Sequence, residues 1–177
     1  MKLKFLQLNK RNLWVLFIFS FSIISLIIDI INDRFAMVDF EVYYRAAQRI
    51  LSGSELYRIK EDGHYLFHYS PNAGLFFIPF TLFKLSIAKY IYWFILTTLL
   101  CFGIKSFFML IPYKLDYPIS NKKRNLVILL SLLIVLTHIH LEFHLGQVNL
   151  LLLIIYFFLI KFLYQKKTFL FSFFISI

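Results

Sequence analysis

Acidic residues are rare in this chain, and most of them fall in one polar segment between long apolar runs. Residues 32–70 hold six of the nine Asp and Glu residues of the 177-residue sequence. A carboxylate at a membrane–water boundary, among aromatic rings, can act as a general base on a hydroxyl. Asp39, which opens the string Asp39-Phe40-Glu41-Val42-Tyr43-Tyr44, is the candidate for that role. The alternative is that Asp39 caps the helix that it precedes, a position that Asp often occupies.

A second polar string, Tyr65–Pro71, combines aromatic rings with a histidine. Tyr69 and its aromatic neighbours could stack on a sugar ring or line a lipid tail, and His68 could contact a phosphate. The same residues could instead form an interfacial aromatic belt, which needs no ligand. Both interpretations put this string at the membrane–water boundary.

A third polar string, Gly146-Gln147-Val148-Asn149, lies between two apolar runs. Its amides offer paired donors and acceptors that suit hydroxyls or a phosphate, and its Gly allows close approach. The alternative is hydrogen bonding at a helix end. Four titratable residues precede the string: His138, His140, Glu142 and His144. They do not follow the His-Glu-x-x-His zinc pattern, so we predict neither a metal nor another cofactor.

The elements that must position these strings are membrane helices. Sixty per cent of the residues are hydrophobic and 20% are aromatic, whereas a soluble domain is nearer half apolar. Because backbone groups in lipid must pair within the protein, we predict an all-α, polytopic membrane protein. The net charge of +10 comes from basic residues at the ends of apolar runs and forms no continuous stripe, which argues against nucleic-acid binding.

Apolar runs define the predicted membrane spans. The four complete runs cover residues 13–31, 87–111, 126–143 and 150–164, and residues 168–177 begin an incomplete fifth. We predict that residues 1–177 form a single membrane domain, the C-terminally truncated part of a longer one. The basic N-terminus indicates a cytoplasmic start, so the loop 32–86 lies outside. We expect a multi-pass protein of a bacterial plasma membrane.

Two segments of this outer loop are predicted to lie along the membrane surface. Residues 39–52 have helical periodicity and end at Gly53, a plausible C-terminal cap. We expect the apolar face of this helix to rest on lipid. Residues 72–84 are apolar but contain Pro79, so they either cross the bilayer or lie at its outer interface. The positive-inside rule favours the interface, and the string 146–149 then shares the outer face with Asp39.

Taken in order, these strings resemble glycosyltransferase family 87, membrane enzymes of the GT-C superfamily that take a sugar from a polyprenyl phosphate carrier. The matching pieces are Asp39-Phe40-Glu41-Val42-Tyr43-Tyr44-Arg45-Ala46-Ala47, Gly53 with Leu56-Tyr57, Tyr69-Ser70-Pro71 with Pro79, and Gly146-Gln147-Val148-Asn149. Four fragments in this order and spacing are fairly specific. Family members are much longer, so the resemblance covers the N-terminal part of such an enzyme.

The resemblance implies a GT-C-like fold with two juxtamembrane helices in the first outer loop, at residues 39–52 and 72–84. It implies an inverting hexosyltransferase, often specific for mannose, in which Asp39 is the catalytic base. A polyprenyl-phosphate-linked sugar is the donor, and a hydroxyl of a lipid or glycan is the acceptor. The predicted substrate-binding residues are Glu41, Tyr43, Tyr44, Arg45, Tyr69, His144, Gln147 and Asn149. Candidates to contact the leaving phosphate are Arg45, Arg49, His68 and His144.

Two other classes of function fit the same composition. In a membrane transporter or lipid flippase, polar residues inside the spans, such as Asp29 and Glu142, would line a path. In a non-catalytic membrane subunit, the outer loop would dock a partner. Transport of a labelled substrate without a covalent product would favour the first class. Function that survives neutralisation of Asp39 and Gln147 would favour the second.

Overall fold

The computed structural model describes residues 10–110, 120–169 and 172, and every regular element in those residues is helical. Two single-turn 3-10 helices cover Gly63–Tyr65 and Ile78–Leu82. The α-helices, in chain order, are α1 (Lys10–Ile31), α2 (Val38–Ser52), α3 (Ile59–Asp62), α4 (Pro71–Leu75), α5 (Leu85–Leu110), α6 (Asn121–Leu145) and α7 (Asn149–Tyr164).

Three of these helices are long and apolar enough to cross a membrane. Their apolar parts are Leu13–Ile31 in α1, Leu85–Ser106 in α5 and Asn125–Leu145 in α6. By length and composition, these helices are compatible with membrane spans. The 16-residue α7 is shorter than the roughly 20 residues that a span needs. The incomplete span predicted at 168–177 lies largely outside the described residues.

The long helices pack around α5, which contacts both α1 and α7, while α1 also contacts α6. Small residues permit the close approach: a Cβ added at Gly103 of α5 would lie 3.2 Å from the ring of Phe157 on α7. Many large apolar side chains of α1 and α6 remain exposed, among them Ile24, Ile31 and Ile134. In lipid such exposure carries no hydrophobic cost, because the surrounding tails are as apolar as the side chains.

The segment between α1 and α5, residues 32–84, is called the first loop below. Its centre is α2, whose apolar face is buried against α4, the 3-10 helix Ile78–Leu82 and α5. Phe40 is fully buried, and its ring stacks on Tyr92 of α5 with 4.6 Å between centroids. The expectation that this face rests on lipid is therefore wrong. Aromatic side chains of the first loop and of α5 cover this face instead. Of its residues Phe40, Tyr44, Ala47 and Leu51, the first three are buried and Leu51 is strongly exposed.

Residues 72–84 do not form one continuous helix. They contain the end of five-residue α4 and, after a turn, the 3-10 helix Ile78–Leu82. Pro79 lacks an N–H to donate and stands at the start of the second piece, so it interrupts any longer helix. Neither piece approaches the length of a membrane span. The interpretation in which residues 72–84 cross the bilayer is thus excluded. In place of the single juxtamembrane helix that was expected there, the structure has two short helices.

The ends of α2 clarify the role of Asp39 in the fold. The N-cap residue is Met37, which has a left-handed backbone and makes no side-chain cap hydrogen bond. Asp39 is the second residue of the helix, so the interpretation of Asp39 as the cap is wrong. Its charge complements the positive end of the helix dipole from within the first turn. The predicted cap at the other end is confirmed, since Gly53 has φ 65° and its N–H bonds to Arg49 and Ile50 carbonyls.

Candidate functional site

Asp39 is a partly exposed carboxylate that the first turn of α2 holds in place. Its side chain makes no hydrogen bond or ion pair with any other residue in the part of the chain that the structure describes. Its charge is one of the smaller causes that raise the pKa of Tyr43. A partly exposed carboxylate without an internal partner is free to accept a proton from a bound hydroxyl.

Tyr43 and Tyr69 form an aromatic pair on the same side of α2 as Asp39. Tyr43 follows Asp39 by four residues, which puts both on one helix face. Its hydroxyl lies 3.4 Å from that of Tyr69, and the two rings meet edge to face. Burial, the hydrogen bond to Tyr69 and the nearby charges raise the pKa of Tyr43 above its usual value. Tyr43 is buried, whereas Tyr69 is 46% exposed, so Tyr69 offers its ring to a ligand.

The turn that joins α6 to α7 packs directly against the start of α2. The backbone N–H of Met37 donates to the carbonyl of His144 at 3.2 Å. Gly146, with φ 69°, lies so close that an added Cβ would sit 2.8 Å from Cβ of Phe40. A left-handed backbone and this lack of space both favour glycine. The turn 146–149 and the end of α6 therefore contact Met37 and Phe40, the residues on either side of Val38 and Asp39.

Side-chain hydrogen bonds organise this turn. The Asn149 amide N–H₂ donates to Oε1 of Gln147 at 2.8 Å and to Oε1 of Glu142 at 3.0 Å. Tyr92 of α5 donates its hydroxyl to the Gln147 carbonyl at 3.2 Å. Within the described residues, the N–H₂ group of Gln147 and the side-chain carbonyl of Asn149 have no partner. The Gln147 N–H₂ group can therefore donate to a hydroxyl or phosphate oxygen atom, and the Asn149 carbonyl can accept from a hydroxyl.

Glu41 and Arg45 form ion pairs within the protein. Glu41 accepts from Arg45 at 2.5 Å and from Lys89 of α5 at 3.0 Å. Burial raises the pKa of Glu41, but the hydrogen bonds and positive charges of Lys89 and Arg45 outweigh burial and hold it below 4.5. The Arg45 guanidinium also lies over the Tyr65 ring, 5.2 Å from its centroid. Glu41 therefore attaches the first loop to α5, and Arg45 connects parts of the first loop to one another.

Other predicted residues also have partners within the fold. Tyr44 is buried and donates its hydroxyl to the Phe83 carbonyl at 2.8 Å. Arg49 forms a two-pronged ion pair with Asp62, with 2.6 Å between Nη2 and Oδ1. The hydrogen bond from Arg49 lowers the pKa of Asp62, against the effect of burial. Tyr44 and Arg49 thus stabilise the first loop, and their polar groups are already paired within the protein rather than available to a substrate.

His144 stands beside a buried carboxylate of α1. Its Nδ1 lies 3.4 Å from Oδ2 of Asp29, and Nδ1 makes no hydrogen bond with the described residues. Its ring lies 6.1 Å from that of His140, as their spacing on one helix face predicts. No group of three or more His, Cys, Asp or Glu in the described part of the chain is arranged to hold a metal ion.

Glu41→Gln is expected to weaken the attachment of the first loop to α5. It should also make the stability of the protein less dependent on pH. Loss of hydrogen bonds to a charged group costs about 1.5–3 kcal/mol. Because the pKa of Glu41 is lower in the folded state, its stabilisation is present above 4.5 and is lost as the pH falls through the folded pKa. The thermal unfolding midpoint, measured from neutral pH to below 4.5, checks this.

The matched control for this prediction is Glu55→Gln. Glu55 is exposed in the same loop and has no ion pair with the residues that the structure describes. Its substitution should leave both the unfolding midpoint and its pH profile unchanged. Equal effects of the two substitutions would contradict the assignment of Glu41 as the attachment point.

Two residues at this site could not be found from the sequence. Tyr92 belongs to the aromatic run at the start of α5, which reads as an ordinary interfacial belt, and nothing in that run marks its bond to Gln147. In the sequence, Lys89 lies near the start of the predicted span 87–111, and nothing there indicates that it is the partner of Glu41. Long-range packing alone reveals both roles.

Comparison of the chain with known protein families, with curated proteins and with solved structures found no match. The residues and their geometry are therefore the basis on which we infer a function.

Proposed function

We propose that this protein is a membrane glycosyltransferase that moves a hexose from a polyprenyl phosphate carrier to the hydroxyl of a lipid or glycan acceptor. The observation that carries the proposal is the Asp39 carboxylate: it is partly exposed and has no hydrogen-bond or ion-pair partner among the described residues. The exposed ring of Tyr69 contacts Tyr43, and the turn with the unpaired amide groups contacts Met37 and Phe40 of the same helix start. An aromatic ring and amide groups suit a sugar. This combination supports proton abstraction from a hydroxyl more directly than it supports a transport path.

In the proposed reaction, Asp39 accepts the proton of the acceptor hydroxyl. The acceptor oxygen attacks the anomeric carbon from the face opposite the phosphate and forms the new glycosidic bond. The bond between the anomeric carbon and the phosphate oxygen breaks, and polyprenyl phosphate leaves with its electron pair. The configuration at the anomeric carbon is thereby inverted. Tyr69 would stack on the acceptor, since its ring is exposed on the side of the Asp39–Tyr43 face.

The departing phosphate requires hydrogen-bond donors or positive charge. Arg45 and Arg49 are engaged by Glu41 and Asp62, so neither is the first choice. His144 and the free N–H₂ of Gln147 lie on the turn that contacts the start of α2. We assign the phosphate to these two groups. His144 is one of the four candidates for the phosphate that the resemblance suggested, and Gln147 is one of the predicted substrate-binding residues.

The experiment is a transfer assay on the full chain in lipid nanodiscs, with radiolabelled sugar on polyprenyl phosphate and a mixture of lipid and glycan acceptors. A covalent product that carries the label supports the proposal. Donor that crosses a vesicle membrane without forming a product would indicate a transporter or flippase. A protein that does neither but retains a partner through the first loop would be a non-catalytic subunit.

A further inference from the structure

Helices α5 and α7 lie side by side and run in the same direction. Near their starts, the Tyr92 hydroxyl of α5 donates to the Gln147 carbonyl, two residues before α7 begins. Further along both helices, a Cβ added at Gly103 would lie 3.2 Å from the ring of Phe157. Because the residue numbers rise together, the C-terminal ends of α5 and α7 lie at the same end of the bundle, away from the first loop.

A shallow crevice follows the contact between these two helices toward their C-terminal ends. Apolar side chains form most of its wall, and Phe102 of α5 stacks there on Phe158 of α7 with 5.6 Å between ring centroids. Ser106 and Lys161 line the crevice about one turn closer to the helix ends, and the Lys161 ammonium lies 6.0 Å from the Phe158 centroid. Ser106 is buried and Lys161 is partly buried. The crevice therefore combines a hydroxyl and an ammonium with an apolar wall.

Ser106 and Lys161 lie where the apolar segments of the two helices end. The part of α5 that is apolar enough to cross a membrane ends at Ser106, and the shorter apolar part of α7 covers Asn149–Leu163. Lys161 belongs to the last turn of α7. In a bilayer, both side chains would therefore stand at the boundary between hydrocarbon and headgroups, which lysines near helix ends reach with their long side chains.

Four lysines belong to this end of the two helices: Lys105, Lys161, Lys166 and Lys167. Lys105 precedes Ser106 on α5 and is exposed. Lys166 and Lys167 follow α7, and their N–H groups bond to carbonyls of its last turn, which keeps them close to the helix end. None of the four forms an ion pair with a residue that the structure describes. Their ammonium groups are thus available to an anion.

Acidic residues are scarce in this part of the chain. After residue 62 the sequence contains two, Asp116 and Glu142. Glu142 accepts a hydrogen bond from Asn149 at the start of α7, which is the opposite end of the bundle. Asp116 lies outside the described residues. The excess of positive charge therefore favours an anion supplied from outside the chain.

We infer that this end of the α5–α7 contact binds the headgroup of an anionic phospholipid, whose phosphate accepts from the Ser106 hydroxyl and the Lys161 ammonium. Both groups are donors, and basic pockets between membrane helices bind anionic headgroups. The crevice is too shallow to enclose a small molecule, so a free anion would make few contacts. A phospholipid gains further contact, because its acyl chains lie along the apolar wall. Such binding requires no sugar transfer.

The test is a lipid titration of the delipidated full chain in detergent, with bound lipid counted by native mass spectrometry. Phosphatidylglycerol should bind more tightly than phosphatidylcholine, which has a phosphate and acyl chains but no net charge. Lys161→Gln should weaken phosphatidylglycerol binding about tenfold, the usual scale for a lost hydrogen bond to a charged group. Ser106→Ala should weaken it by a smaller factor, because its hydroxyl is a neutral donor.

Lys84→Gln is the matched control for Lys161→Gln. Lys84 is exposed just before α5 begins, at the opposite end of the bundle, and forms no ion pair with the described residues. The control therefore makes the same change of net charge away from the crevice, and it should leave phosphatidylglycerol binding unchanged. Equal losses in the two variants would show that binding depends on net charge alone, which would overturn the assignment of a site.

Competition on the unaltered protein provides a second measurement, which does not depend on how a variant folds. Excess inorganic phosphate at constant ionic strength should not displace phosphatidylglycerol, because it has no acyl chains to contact the crevice. Displacement by phosphate would identify a soluble anion as the ligand. Equally tight binding of phosphatidylcholine would identify a contact with acyl chains alone. Either result would overturn the inference.

Discussion

Asp39→Asn should lower the rate of sugar transfer by about 10²–10⁴-fold, the usual contribution of a general base. An amide has nearly the shape of a carboxylate but cannot accept the proton of the attacking hydroxyl. The side chain makes no hydrogen bond with the described residues, so the substitution should leave the packing of α2 intact. The loss should appear in kcat and in kcat/KM alike, because the missing interaction belongs to the transition state. Initial rates with labelled donor provide the measurement.

Asp33→Asn is the control for that experiment. It makes the same chemical change in the same loop, at an exposed residue with φ 52°, a backbone that Asn adopts readily. Transfer should stay at the level of the unaltered protein. If Asp39→Asn also retained full activity and a normal unfolding midpoint, Asp39 would not be the base. Asp39 would then have only its electrostatic role at the start of α2.

Gly146→Ala should lower the free energy of unfolding of the first loop by about 2–5 kcal/mol. A left-handed backbone costs a side-chain-bearing residue about 1–2 kcal/mol, and crowding a packed contact adds about 1–3 kcal/mol. The crowding arises because the new Cβ would lie 2.8 Å from Cβ of Phe40 and 3.2 Å from Cβ of Met37. Hydrogen exchange of α2 amides and the thermal unfolding midpoint should both report the loss.

Gly53→Ala separates the cost of the left-handed backbone from the cost of crowding. Gly53 also follows a helix end, with φ 65°, but a Cβ there would meet nothing within 4 Å. We therefore expect only the backbone cost, about 1–2 kcal/mol. The difference between the two variants measures the contact between the 146–149 turn and the start of α2. If the variants were equally destabilised, that contact would contribute nothing to the position of Asp39.

Local patterns predicted much of the helical framework. The runs of apolar residues corresponded to α1, α5, α6 and α7, because such runs favour helices whose backbone groups pair internally. The helix at 39–52 began one residue earlier than predicted, and its Gly53 cap was correct. These features depend on a few neighbouring residues, so the sequence contains their cause.

Predictions of what each surface contacts were less successful. The apolar face of α2 was expected to rest on lipid, but it packs on Phe77 and Tyr92. An amphipathic pattern shows that a face avoids water and does not identify what covers it. The same limit applies to charges, since Arg45 and Arg49 were available cations in the sequence and carry ion pairs in the structure.

The sequence by itself determined a helical framework with apolar runs long enough to span a membrane and an acidic, aromatic loop between its first long helices, because composition and periodicity control local structure. Only the tertiary structure decided which groups of that loop are free. In that structure Glu41 pairs with Lys89, Tyr44 donates its hydroxyl to the Phe83 carbonyl, and Asp39 has no partner among the described residues. It also brought Gly146 against Phe40, from more than a hundred positions away. Those outcomes depend on long-range packing, in which a residue's partner is set by the whole arrangement of helices.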